Sequence, residues 1–129
     1  MFVADLHNDV LQRAITGEDI SKMTTDGHSD LVRLHDSCID LEVFIIWIAG
    51  NSKQVGAYNK ANLLIDKLEL LEKNNPSIKI VKNISEIQIA KKNNILATPF
   101  SLEGGDALEE NIDNLYHFIE RGLLYFGFT

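Results

Sequence analysis

Apolar residues change their period several times along the chain, and each change marks an element. Phe2–Asp9, FVADLHND, alternates apolar and polar side chains as a strand does. From Arg13 to Asp30 the residues are polar and irregular, with room for short helical turns at most. Cys38–Gly50, CIDLEVFIIWIAG, is dominated by β-branched and aromatic residues, and Gly50-Asn51-Ser52 punctuates its end, which predicts a second strand. Over Val55–Lys73 the apolar residues Ala57, Ala61, Leu64, Leu68 and Leu71 fall on one helical face, and Asn74-Asn75-Pro76 stops the helix. SIKIVKN adds a short extended piece, and Ser85-Glu86-Ile87-Gln88 resembles a capping box opening a second helix that ends at Asn93-Asn94. ILATPFSLEGG, Ile95–Gly105, is the third strong strand. Asp106-Ala107-Leu108-Glu109 has the pattern of another capping box, opening a helix that Gly122 ends, and LLYFGFT reads as a fourth strand.

Strands separated by helices of this length need right-handed crossovers, which make a mainly parallel sheet buried on both faces. The expected class is α/β: the amino-terminal part of a (β/α)8 TIM-type barrel, with about four parallel strands and intervening helices. Residues 1–129 are then a single incomplete barrel segment. Its inner face would leave Val43, Ile45 and Ala97 without an opposite wall, and its first and last strands would lack partners. That geometry predicts self-association, or pairing with a missing carboxyl-terminal half. Pro99 departs from the pattern of a central strand and calls for a bulge or an irregular stretch there.

Composition narrows the partners. With 129 residues, 45% of them hydrophobic, the chain can bury a real core. A formal net charge of -7, without a cluster of Lys and Arg, argues against a nucleic-acid or anionic-membrane surface. Cys38 is the lone cysteine, so no internal disulfide framework exists. The amino terminus has no leader pattern and no apolar run is long enough to span a bilayer, so a soluble, cytoplasmic protein is expected.

The candidate chemistry sits at two strand ends. Side chains alternate along a strand, which puts Asp5, His7 and Asp9 on one face and Phe2, Ala4 and Leu6 on the other. An imidazole and a carboxylate two residues apart can grip one divalent cation, and Asp5, one layer deeper, could orient the histidine. Taken alone, the triplet is better read as a solvated strand end entering a loop. The third strand shifts the balance. Ile95, Ala97, Pro99, Ser101 and Glu103 share a face, and Glu103 needs water, a proton, a partner or a cation. Gly104 and Gly105 permit a tight turn that leaves this carboxylate accessible.

DLHND, HSDLVRL, IDLEVFIIWI, SLEGGDAL and LYHFIERGLLYFGFT together resemble the amino-terminal part of the membrane (renal-type) dipeptidases, the M19 metallopeptidases. The resemblance implies a (β/α) barrel that hydrolyses dipeptides with two zinc ions. By it, His7 and Asp9 match ligands of one zinc, and Glu103 matches the carboxylate bridging both, so Glu103 is also the catalytic candidate. The family's remaining histidine ligands and a carboxyl-terminal acid have no counterpart in these residues, so at most one zinc is expected here and the isolated chain should be inactive. Two other readings stay open: a related metal-dependent barrel amidohydrolase with another substrate, and a non-catalytic α/β module. His28, His35 and His117 match no ligand position and are expected to face solvent or pack on helices. Core packing is expected for Trp47, with lining of a substrate pocket as the alternative, and a surface ion pair for Arg33.

Overall fold

A computed structural model of the chain describes residues 1–48 and 56–128. The strands are β1 (Ala4–Asn8), β2 (Leu41–Trp47), β3 (Ile78–Lys79), β4 (Leu96–Ala97), β5 (Phe100–Glu103) and β6 (Leu123–Gly127). The helices are α1 (Leu11–Ile15), α2 (Leu31–Asp36), α3 (Ala57–Asn74), α4 (Ile84–Lys92) and α5 (Ile112–Arg121). Every strand pairing is parallel: β1 lies against β2, β2 against both β4 and β5, β3 against β4, and β6 against β5. β1, β2, β5 and β6 are the four expected strands, lying side by side in chain order with helices between. This is the architecture of part of a (β/α) barrel.

The third strand is broken. β4 pairs Ala97 with Leu41, β5 resumes with Phe100 opposite Phe44, and Thr98-Pro99 lies between them. Pro99 has no N–H for the ladder, so the break falls where the ring requires it, while its carbonyl still accepts the Phe44 N–H at 3.0 Å.

β2 divides the core in two. Phe44 and Ile46 join Leu96, Phe100 and Leu102 against Leu11, Leu34, Leu64, Leu68 and Phe118 of the helices. Leu41, Val43, Ile45 and Ala97 point to the opposite face, where Val81, just before α4, and Ala90 of α4 cover them with help from Ile87 and Ile95. This corrects the expectation of a bare inner wall: Val43, Ile45 and Ala97 are fully buried, because α4 and the chain before it fold onto that face. Within the sheet, exposed apolar side chains lie mainly at the edges instead. Phe2, Val3 and Leu6 at β1, and Leu124, Tyr125 and Phe128 at β6, are all exposed. β1 is therefore not the buried strand its apolar positions suggest.

Several local expectations shift by a few residues. α4 is capped by Asn83, whose side chain accepts the Glu86 N–H at 3.0 Å, while Glu86 Oε2 accepts the Lys82 N–H at 2.8 Å. The capping box thus starts two residues before Ser85, because Asn83 offers its oxygen in the extended conformation a cap needs. Asp106–Leu108 forms only a 3-10 turn, and the helix proper starts after Asn111, which caps it through the Asp113 N–H. Between them Glu109 and Glu110 adopt positive φ, and Glu109 Oε1 accepts the Tyr58 N–H at the start of α3. The expected helix start at Val55 and strand end at Gly50 lie outside the described residues.

The polar stretch between Arg13 and Asp30 is held by two arginines. Arg13 makes paired bonds to Glu18 at 2.6 and 2.7 Å, and further bonds to Thr24 Oγ1 and to the carbonyls of Ser29 and Asp26. Arg33 pairs with Asp30 and donates to the Thr24 carbonyl at 2.9 Å. Asp30 is buried, so this is not the surface pair expected for Arg33; the carboxylate also caps α2 through the Arg33 N–H. Burial pushes the Asp30 carboxyl up, but the backbone N–H groups of Arg33 and Thr24 and the Arg33 charge outweigh it and hold it below its ordinary value. Gly27 lies against the Arg13 guanidinium with φ +76, and a Cβ there would run into it. Gly27→Ala is therefore expected to destabilise the protein by about 2 kcal/mol through backbone strain and displaced hydrogen bonds, measured by urea unfolding. An unchanged midpoint would mean that Arg13 has another equally good seat.

Candidate metal centre

Strand geometry brings His7, Asp9 and Glu103 together. His7 is in β1, and Asp9 lies one residue beyond the strand, where the Asn8 side chain accepts the Val10 N–H at 2.9 Å and donates to Ser29 Oγ at 2.9 Å. Glu103 ends β5, in register with Trp47 on one side and Gly127 on the other. Gly104 then takes φ +80 and donates to the Gly127 carbonyl at 3.0 Å, the turn its missing Cβ permits.

His7 Nε2 stands 3.5 Å from Asp9 Oδ2 and 3.5 Å from Glu103 Oε2. One ligand atom from each residue lies within 4.8 Å of the other two. Donor atoms about 2.1 Å from a tetrahedral ion sit about 3.4 Å from one another, so the two histidine edges already have the span a zinc site needs. The donor set, an imidazole and two carboxylates, suits a borderline divalent ion, and among the described residues no other group of three such side chains converges. The cluster is partly open to solvent: the His7 and Asp9 side chains are more than half exposed, and Glu103 about a third.

Asp5 takes a different part from the one its position suggests. Its carboxylate accepts the backbone N–H of His7 at 3.1 Å and makes no bond to the ring. The ladder between β1 and β2 slips between Asp5 and Asn8, so the simple alternation of faces does not hold through His7. Of the remaining histidines, His28 and His35 are exposed, and His117 packs its ring 5.4 Å from Tyr58 and meets Asn62 at 2.8 Å. Trp47 is 44% exposed, contrary to a role in the core. Its carbonyl accepts Gln12 Nε2 at 2.6 Å, and the residue lines a cavity of about 360 Å3 with Gln12 and Ile15 of α1 and Leu63 of α3.

The match to known proteins follows this geometry. The family model described as membrane dipeptidase, peptidase family M19, matches residues 1–129. The chain belongs to the M19 membrane dipeptidase family. Among solved structures it resembles the dipeptidase AC, a metallopeptidase of family M19, with 22% identity and a TM-score of 0.87 over 98% of this chain and 42% of the other. It also resembles a metallopeptidase from Rhodobacter sphaeroides bound to a phosphinate mimic of the dipeptide L-Ala-D-Ala, with 20% identity and a TM-score of 0.84 over 95% of this chain and 44% of that one. The probable dipeptidase PvdM from Pseudomonas aeruginosa has 16% identity and a TM-score of 0.83 over 100% of this chain and 34% of its own. This M19 segment therefore spans less than half the length of each of those structures. No curated protein matches the sequence. Among the described residues no helix is long and apolar enough to cross a membrane.

One buried acid was not singled out by the sequence. Glu42 of β2 is fully buried opposite Asp5, and neither carboxyl oxygen has a hydrogen-bond partner. Burial pushes its carboxyl up to about 7, with a further upward push from Asp5 and a downward pull from Asn8, whose amide donates to Ser29 instead. A raised carboxyl means that the folded protein holds a proton the unfolded chain has lost. Stability should therefore fall as pH rises from the unfolded value near 4.5 to about 7 and then level off. Glu42→Gln is expected to remove that decline and raise stability at pH 8 by about 2 to 3 kcal/mol, read from unfolding curves across pH. Equal stability of the two proteins at pH 8 would show that the carboxylate has partners in solution.

Proposed function

We propose that this chain supplies the first part of a zinc-dependent dipeptide-hydrolysing centre, with His7 and Asp9 as ligands of one ion and Glu103 as the carboxylate that would join it to a second. The observation that carries the reading is the convergence of these three side chains at the carboxyl ends of β1 and β5, where a barrel keeps its active site. The substrate class rests on family membership and on the dipeptide mimic held by the Rhodobacter sphaeroides relative.

Zinc, when bound, supplies Lewis acidity that polarises a carbonyl and makes water nucleophilic near neutral pH. The residues present do the holding. His7 offers its imidazole Nε2, with Asp5 fixing the backbone N–H that sets its position. Asp9 is placed by the Asn8 turn, and Glu103 by the ladder to β2 and β6 and by the Gly104 bond. The openness of the cluster leaves room for a second ion's ligands and for substrate.

The expected behaviour of a polypeptide of these residues alone follows. Zinc calorimetry should give at most one equivalent, bound weakly and lost in Glu103→Gln; two equivalents at sub-micromolar affinity, or binding indifferent to Glu103, would contradict the assignment. A panel of L,L and L,D dipeptides should not be hydrolysed above background by a polypeptide of these residues alone, because the histidine ligands and the acid that the resemblance implies besides His7, Asp9 and Glu103 have no counterpart among them. Zinc-dependent turnover would show that the residues present complete a site by another route. The exposed apolar side chains at β1 and β6 support pairing of these edges with the remainder of a barrel or with a second copy.

A further inference from the structure

The cavity beside the candidate metal centre has a component that neither ligand chemistry nor the ladder explains. It has a volume of about 260 Å3 and is lined by His7, Glu103, Ile45, Ser101, Tyr125 and neighbouring backbone. Tyr125 comes from β6, in register with Ser101 and so one layer below Glu103, which pairs with Gly127. Its hydroxyl donates to the carbonyl of Leu6 on β1, although β5 and β2 lie between the two strands. The bond closes across the concave face.

It also lands where β1 is least supported. Ala4, Asp5 and Asn8 have register partners on β2, but the ladder slips between Asp5 and Asn8, leaving Leu6 and His7 without one. The Leu6 carbonyl belongs to the peptide unit whose other half is the His7 N–H, and that N–H is held by Asp5. The peptide that aims His7 is thus fixed from both ends, by an acid of its own strand and by the hydroxyl of Tyr125. β6 holds Glu103 as well, since it flanks β5 through Glu103–Gly127. Tyr125 is therefore a direct link between the strand that carries His7 and the strand that backs Glu103.

We propose that Tyr125 is a positioning residue that fixes His7 against Glu103 and so sets the affinity and geometry of the metal site. The inference rests on the assignment of His7 and Glu103 as ligands. Tyr125→Phe keeps the ring as the cavity floor and deletes only the hydroxyl, and Co2+ serves as a spectroscopic probe in the full chain. The variant is expected to bind Co2+ about fivefold more weakly, the worth of one neutral hydrogen bond. Its visible cobalt spectrum should change, the His7 amide 15N resonance should move in the metal-free protein, and the urea midpoint should fall only slightly, as the loss of one exposed bond requires. Unchanged affinity and spectrum in Tyr125→Phe, with Co2+ binding by the parent chain abolished by Glu103→Gln, would overturn the positioning role while leaving the ligands assigned. Weaker binding that tracks a markedly lowered midpoint, with the same spectrum, would make Tyr125 merely structural and would equally overturn it. Absence of Co2+ binding by the parent chain would overturn the ligand assignment and this inference together.

Discussion

Strand β2 is enclosed on all sides, and the rest of the structure is arranged around that constraint. Every residue from Leu41 to Ile46 is buried, with β1 along one edge, β4 and β5 along the other, helices over one face and α4 over the opposite one. A parallel strand so placed has no solvent face, so its run from Val43 to Ile46 is continuously apolar and its alternate residues feed two separate clusters. The β2 to β5 register then fixes the height of Glu103, and the β1 to β2 register fixes where His7 and Asp9 leave the sheet. The site is a consequence of where two strands end relative to one central strand.

The same constraint shows where the fold is stable and where it is open. Clusters on both faces of β2 account for the burial of Phe44, Phe100, Ile45 and Ala97, whereas among the described residues β1 has a strand neighbour on one side only and stays exposed. The amino terminus is tied down by charge instead. Asp40 accepts the Val3 N–H at 2.8 Å and Lys91 Nζ at 2.7 Å, and Lys91 also reaches the Met1 carbonyl. Lys91 and the Val3 N–H together hold the Asp40 carboxyl below its ordinary value. A strand that carries a candidate metal ligand is thereby secured without being buried, which leaves its carboxyl end accessible.

Much of this was legible in the sequence, for reasons that can be stated. The apolar run of β2, the spacing of Ala57 to Leu71 and the proline in the third strand each report a local requirement that tertiary structure did not override. Histidine and acid at strand ends were recognisable because those residue types are costly anywhere else in such a strand. What remained hidden depended on neighbours far along the chain. The exposure of β1 depends on what lies beyond its free edge. Coverage of Val43, Ile45 and Ala97 depends on α4 folding onto the face that a closed barrel would fill. Asn83 took the cap from Ser85 because its side chain, in extended backbone, reached the Glu86 N–H. Glu42 is an acid inside an apolar run, which was the available signal of an unusual environment, but its burial follows from the register with β1.

The central claim is that His7, Asp9 and Glu103 form a single cation site at the carboxyl ends of β1 and β5. An anomalous difference map at the zinc absorption edge, from crystals of the chain grown with zinc, tests it most directly. The account predicts one principal peak about 2.0 to 2.2 Å from His7 Nε2 and from a carboxylate oxygen of both Asp9 and Glu103. A principal peak elsewhere, or one that touches His7 and Asp9 while Glu103 turns away, would contradict it.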